Sequence, residues 1–168
     1  MEQNIKVLLR GPNTGQIHLF FQSLGLDTQI SGAAGNVVTT QSDAKNIIIY
    51  YRPDYKYTNL FDVDIVITLM PLYKSSSVRN TGARIRATES RDDSKFKYKI
   101  NNKQVKHLVV ITNSNNMEMS DLISLRSFRK THKFETILTD LSTGIGVSNV
   151  LPKAVEMVRS LYHSKHIH

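Results

Sequence analysis

Lys6-Val7-Leu8-Leu9-Arg10-Gly11-Pro12-Asn13-Thr14-Gly15-Gln16-Ile17-His18-Leu19-Phe20 decides how the rest of the chain is read. A short apolar run ends at Gly11, a polar turn follows, and an amphipathic segment begins near Gly15. Strand, glycine-bearing loop and helix in that order open a nucleotide-binding α/β domain. A loop that cradles phosphates reads G-x-x-x-x-G-K-[ST]. Its backbone amides hold phosphate oxygens, its lysine reaches the outer ones and its hydroxyl sits on magnesium. Counted from Gly11, the second glycine falls on Gln16, the lysine on Ile17 and the hydroxyl on His18. The spacing predicts a loop of nucleotide-binding length that has lost its chemistry. Gly11, Gly15, Gln16, Ile17 and His18 form that degenerate loop, and no cofactor is expected.

Outward from this stretch, Ile17, Leu19, Phe20, Leu24 and Leu26 give a helical stripe ending near Gly25. Residues 28–40 read as loop and weak strand, with a turn over residues 31–36. Ile47-Ile48-Ile49-Tyr50-Tyr51 is a β-branched and aromatic run that stops at Arg52-Pro53-Asp54, where proline ends pairing. Residues 63–70 (Val63-Asp64-Ile65-Val66-Ile67-Thr68-Leu69-Met70) are nearly continuously apolar, as in a central strand covered on both faces. Ser75-Ser76-Ser77 offers an N-cap for a helix through Val78 and Ile85. Strands follow at residues 105–112 and 134–139, with a helix between them from Ser120 to His132. Gly144-Ile145-Gly146 turns into a last helix carrying Val150, Leu151, Val155, Val158 and Leu161, with Pro152 in its first turn. Six strands alternating with at least four helices predict a three-layer α/β domain around a mostly parallel six-stranded sheet. The domain is expected to span residues 1–163, with residues 164–168 as a frayed tail.

At 168 residues the chain suffices for one such domain. It has no cysteine, which excludes disulfides, thiol catalysis and cysteine zinc sites. No apolar run approaches the roughly 20 residues of a membrane-spanning helix, and the N-terminus lacks signal-peptide character. A cytoplasmic or nuclear protein without a membrane partner is expected. The net charge of +8 permits a nucleic-acid or acidic-protein partner. His18, His107 and His132 have no carboxylate partners at ligand spacing, and His163, His166 and His168 lie in the expected tail, so no metal site is expected.

The order of elements resembles that of a Ras-like small GTPase. Asp-x-x-Gly should end the third strand, where this chain has Tyr51-Arg52-Pro53-Asp54. Asn-Lys-x-Asp should follow the fifth, where Asn113-Ser114-Asn115-Asn116 keeps only the first asparagine. The Ser-Ala-Lys loop falls on Leu141-Ser142-Thr143, again without lysine. Residues 52–61 leave no room for the helix expected between the third and fourth strands. Phosphoryl transfer depends on neutralising the phosphate charge, and these losses remove the cations that would do so. No catalytic residue is assigned.

Within this class the chain is similar to the centromere protein M family, small-GTPase-like subunits of the inner kinetochore. The likeness rests on residues 63–81, with their apolar strand, Leu72-Tyr73, serines and Asn80-Thr81. It rests also on Ile137-Leu138-Thr139-Asp140-Leu141 followed by Gly146-Val147, on the lysine-free opening loop and on the missing helix. The resemblance departs after the last helix, where the C-terminal extension of vertebrate members is not expected in this chain. The resemblance implies a non-enzymatic pseudo-GTPase in the nucleus, at the centromere. Its partner would be a helical-repeat subunit of the centromere protein I type with H- and K-type companions, and its contact with centromeric chromatin indirect. The alternative is a divergent small GTP-binding protein of trafficking or signalling that holds nucleotide through non-standard residues.

Candidate partner-binding residues follow from exposure rather than chemistry. Phe96, Tyr98 and Ile100 alternate with lysines and with Val105 form either an interface anchor or an extra strand. Tyr55, Tyr57 and Phe61 are core or interface. Arg79, Arg84 and Arg86 share one predicted helix and form a solvated face or meet an acidic protein or DNA. Direct nucleic-acid contact there predicts a steep salt dependence.

Overall fold

A computed structural model of the chain describes residues 4–26, 37–52, 63–71, 106–117, 126 and 135–166. The apolar runs form six strands: β1 (Asn4–Arg10), β2 (Val37–Ser42), β3 (Lys45–Arg52), β4 (Ile65–Met70), β5 (Lys106–Ile111) and β6 (Glu135–Leu138). They make one sheet in the order β2-β3-β1-β4-β5-β6. Every neighbouring pair is parallel except β2 with β3. The expected mostly parallel six-stranded α/β sheet is the one observed.

Two long helices are described, α1 (Thr14–Ser23) and α2 (Val150–His166). In α1 the buried residues are Ile17, Phe20 and Phe21, at the i, i+3, i+4 spacing of one helix face. They pack with Ile5, Val7 and Leu9 of β1 and with alternate residues of β3, β4 and β5. The Phe21 and Tyr51 rings meet edge-on with centroids 5.1 Å apart. Val150, Leu151, Ala154, Val155 and Val158 of α2 join the same cluster, so both helices cover one face of the sheet. On the opposite face Leu8 and Val66 are buried with Val63, and Tyr50 packs half-buried against them. β4 is buried at all six positions, as its unbroken apolar sequence requires.

The last helix runs through His166, so residues 164–166 are helical and not a frayed tail. The hairpin between β2 and β3 was not anticipated. Asp43 and Ala44 close it with φ of 51° and 60°, a two-residue left-handed turn made without glycine. The predicted helices beginning at Ser75 and Ser120 lie outside the described residues. So do the charged arm at 95–100 and the short connection at 53–62.

Candidate functional site

In an open α/β sheet, ligands bind at the carboxyl ends of the strands, where the strand order reverses. Here that point lies between β1 and β4, and the loop after β1 crowns it. The loop is shorter than its sequence spacing implied. Helix α1 begins at Thr14, which leaves only Gly11, Pro12 and Asn13 between strand and helix. Asn13 is the reason: it is extended (φ −162°, ψ 169°) and its side-chain carbonyl accepts the amide of Gln16 at 2.9 Å. Asparagine is among the best N-cap residues, and it starts the helix two positions before the glycine that a phosphate loop would place at 16. The expectation of a full-length phosphate loop is therefore corrected. Five of its eight positions, Thr14 to His18, are helical.

The cap also changes what the helix end offers. A helix N-terminus attracts anions because its first amides lack partners. Here one of them is already held by Asn13. Beneath the loop, Ile17 occupies the position of the phosphate lysine and is 1 % exposed. A Cβ on Gly11 would lie 2.9 Å from Ile17 Cγ1 and 3.7 Å from Leu69 Cδ1. Gly11 is therefore required for packing against Ile17. Gly15 has Asn13 Oδ1 3.3 Å from where its Cβ would be, so the cap itself crowds it. Gln16 donates its amide to the cap, and His18 is half-buried on α1.

Beside the loop, β1 and β4 are tied by the buried Arg10, whose Nη2 donates to Thr68 Oγ1 at 3.2 Å. Further along this edge, the segments after β5 and β6 are sewn to each other. The amides of Thr139, Ser114 and Leu141 donate to the carbonyls of Ile111, Thr139 and Thr112, each at 2.9 Å. Asn113, in the position of the base-reading asparagine, bridges the backbone of Asp140, which bridges Ile145 in turn.

Asp140 is the hub of this seam. Its Oδ1 accepts the Ser142 hydroxyl, the Ser142 amide at 2.9 Å and the Thr143 amide at 3.1 Å. The Ser142 hydroxyl, with the two amides, holds the buried carboxyl below its ordinary range, although burial pulls the other way. Gly146 completes the turn at φ 79°, where a Cβ would stand 2.5 Å from the Leu138 carbonyl oxygen. The residues that fill the Ser-Ala-Lys positions thus serve a self-contained turn.

The site residues Gly11, Gly15, Gln16, Ile17 and His18 are together at the start of α1. Arg79, Arg84, Arg86, Phe96, Tyr98, Ile100 and Val105 lie outside the described residues. Asn13, Arg10, Thr68 and Asp140 were missed. Asn13 had a readable signal, an asparagine immediately before the apolar-periodic segment. Asp140 had one as well, an aspartate just before Ser142 and Thr143 whose side chain caps a local turn, whereas the partner of Arg10 is set by the pairing of β1 with β4 and has none.

No protein-family model and no curated protein matches the sequence. Solved structures do match in shape. Nucleolar GTP-binding protein 1 from Plasmodium falciparum superposes with a TM-score of 0.67 at 10 % identity, over 99 % of this chain and 91 % of that one. Era, solved with MgGDPNP and a fragment of 16S ribosomal RNA, gives 0.58 at 15 % identity, over 93 % of this chain and 57 % of Era. The fold is that of the GTPase P-loop proteins.

Proposed function

We propose that this chain is a pseudo-GTPase, a GTPase-like domain that acts by contact rather than by hydrolysis. The observation that carries the reading is the start of α1. Asn13 holds an amide that a phosphate would take, and Ile17 fills the lysine position against Gly11. Burying the Ile17 side chain contributes about 1.5–3 kcal/mol to the fold. A lysine put there would leave a buried cation costing about 3–5 kcal/mol unless a phosphate paired it. The site is built for the first situation. Together with Pro53, Ser114 and Thr143 at the other motif positions, it leaves a triphosphate without the cations its chemistry needs.

The finer proposal follows from the resemblance to centromere protein M. It is a structural subunit of the inner kinetochore that binds and stabilises a helical-repeat partner of the centromere protein I type. Thermal unfolding with GTP or GDP and magnesium tests the coarser part. A nucleotide at 100 times its dissociation constant adds about 2.7 kcal/mol, a shift of several degrees. No shift is expected, and a clear one overturns the pseudo-GTPase reading. Pull-down of a large helical-repeat protein and enrichment on centromeric chromatin test the finer part, and absence from centromeres overturns it.

One observation favours a second reading. The two solved structures named above are described as GTP-binding or as holding a GTP analogue. A divergent GTP-binding protein would show the thermal shift that the first reading forbids.

A further inference from the structure

β2 is an edge strand, and among the described residues no charge, proline or bulge protects that edge. Val37-Val38-Thr39-Thr40-Gln41-Ser42 contains no charge and no proline. Its register with β3 runs unbroken from Val37↔Tyr50 to Ser42↔Lys45, so no bulge twists it away. Natural sheets usually blunt a free edge with lysine, proline or a bulge, because unpaired amides and carbonyls template another strand.

The hairpin fixes which groups face outward. A two-residue left-handed turn closes on a hydrogen-bonded pair, here Ser42 with Lys45. Hydrogen-bonded and non-bonded pairs then alternate along the ladder. Thr40 and Val38 spend their amides and carbonyls on β3. Those of Val37, Thr39 and Gln41 point to the free edge. Among the described residues nothing pairs with them. The same three residues have exposed side chains, with Val37 43 % exposed, while Val38 packs toward the helices.

We infer that this edge is a homodimer interface, on which β2 of a second copy lies antiparallel about a two-fold axis through Thr39. The pattern is self-complementary. Thr39 faces Thr39 of the partner copy, and Val37 and Gln41 face each other twice, so all six outward groups of each strand find a partner. All three side chains stay on one sheet face, with the two Thr39 hydroxyls adjacent, a favourable cross-strand pair. The absence of charge in β2 favours a second copy, because a charged edge laid on itself would oppose like charges. The product is one continuous twelve-stranded sheet.

Sedimentation of the full chain from about 5 µM to about 1 mM tests this. The expected result is a rise from 19.1 kDa toward twice that mass. A chain that stays monomeric throughout overturns the proposal and leaves the edge to a different protein. Thr39→Lys puts like charges on the axis at a position where an edge tolerates lysine, so it should give a folded monomer; a dimer that survives it overturns the assignment to β2. The chain has no cysteine, which makes a positional check clean. Facing Cα atoms in a bonded antiparallel pair are about 5.5 Å apart, within disulfide range. Thr39→Cys should oxidise to a covalent dimer, whereas two Gln41→Cys residues lie about 13 Å apart along the strands and should not. Equal cross-linking at both positions overturns the register.

Discussion

Asn13 and Ile17 do the work at opposite ends of the first helical turn, one polar and one apolar. Asn13→Ala should lower stability by about 1 kcal/mol through the lost cap, a fall of about 2–4 °C in Tm. Calorimetry without change in nucleotide affinity is the expected readout. Gly11→Ala should cost about 1–3 kcal/mol, since the new methyl meets Ile17 Cγ1 at 2.9 Å. The same substitution in an Ile17→Ala background should cost less, and additive losses would show that the contact is not the cause. Asp140 adds a pH signature. Its folded value lies below the unfolded one, about 3.9, so its contribution is complete above that pH and is lost as pH falls through the folded value. Asp140→Asn should therefore flatten the acid limb of the stability curve below about pH 4, while leaving the profile near neutrality unchanged in shape.

Elements show where local sequence and tertiary demand part. α1 follows its own sequence, with a cap at Asn13, an apolar face at Ile17, Phe20 and Phe21, and a close in which Gly25 and Leu26 donate to Gln22 and Phe21. The β2–β3 turn does not. Ala44 adopts φ 60°, a conformation that costs an L-residue roughly 1–2 kcal/mol. The pairing of β3 with β1 and of Val38 with the core holds it there. Ala44→Gly should remove that strain and raise stability by about 1 kcal/mol, measured by denaturant unfolding. An unchanged midpoint would mean the turn relaxes at no cost. The reading of residues 28–40 as weak strand missed the hairpin because neither turn residue carries a glycine signal.

Across the whole molecule, the sheet brings three separate losses to one edge. The loop after β1 and the segments after β5 and β6 all sit at carboxyl ends of strands. In each, polar groups bond to their own chain: Asn13 to Gln16, Thr112 to Leu141, and Asp140 to Ser142 and Thr143. Putting lysine back at one position should therefore not restore binding. Ile17→Lys is expected to destabilise by about 3–5 kcal/mol and to leave GTP affinity undetectable by calorimetric titration. A gain of affinity would show that the site lacks only its cation.

The strands other than β2, and the first and last helices, were legible because their apolar residues recur with a period that matches burial: near-continuous in β4, and i, i+3, i+4 in α1. The missing lysines and the Asp-x-x-Gly glycine were legible too, since an absent residue type needs no coordinates to notice. The sequence alone thus determined an α/β domain with a mostly parallel six-stranded sheet. Tertiary structure decided what replaced the missing residues. Spacing from Gly11 suggested a phosphate loop of full length, whereas the apolar pattern placed the helix start near Gly15, one residue from the Thr14 observed. The Asn13 cap is local to the helix end, but the burial of Ile17 against Gly11 and the sheet core is made only once the helix lies on the sheet.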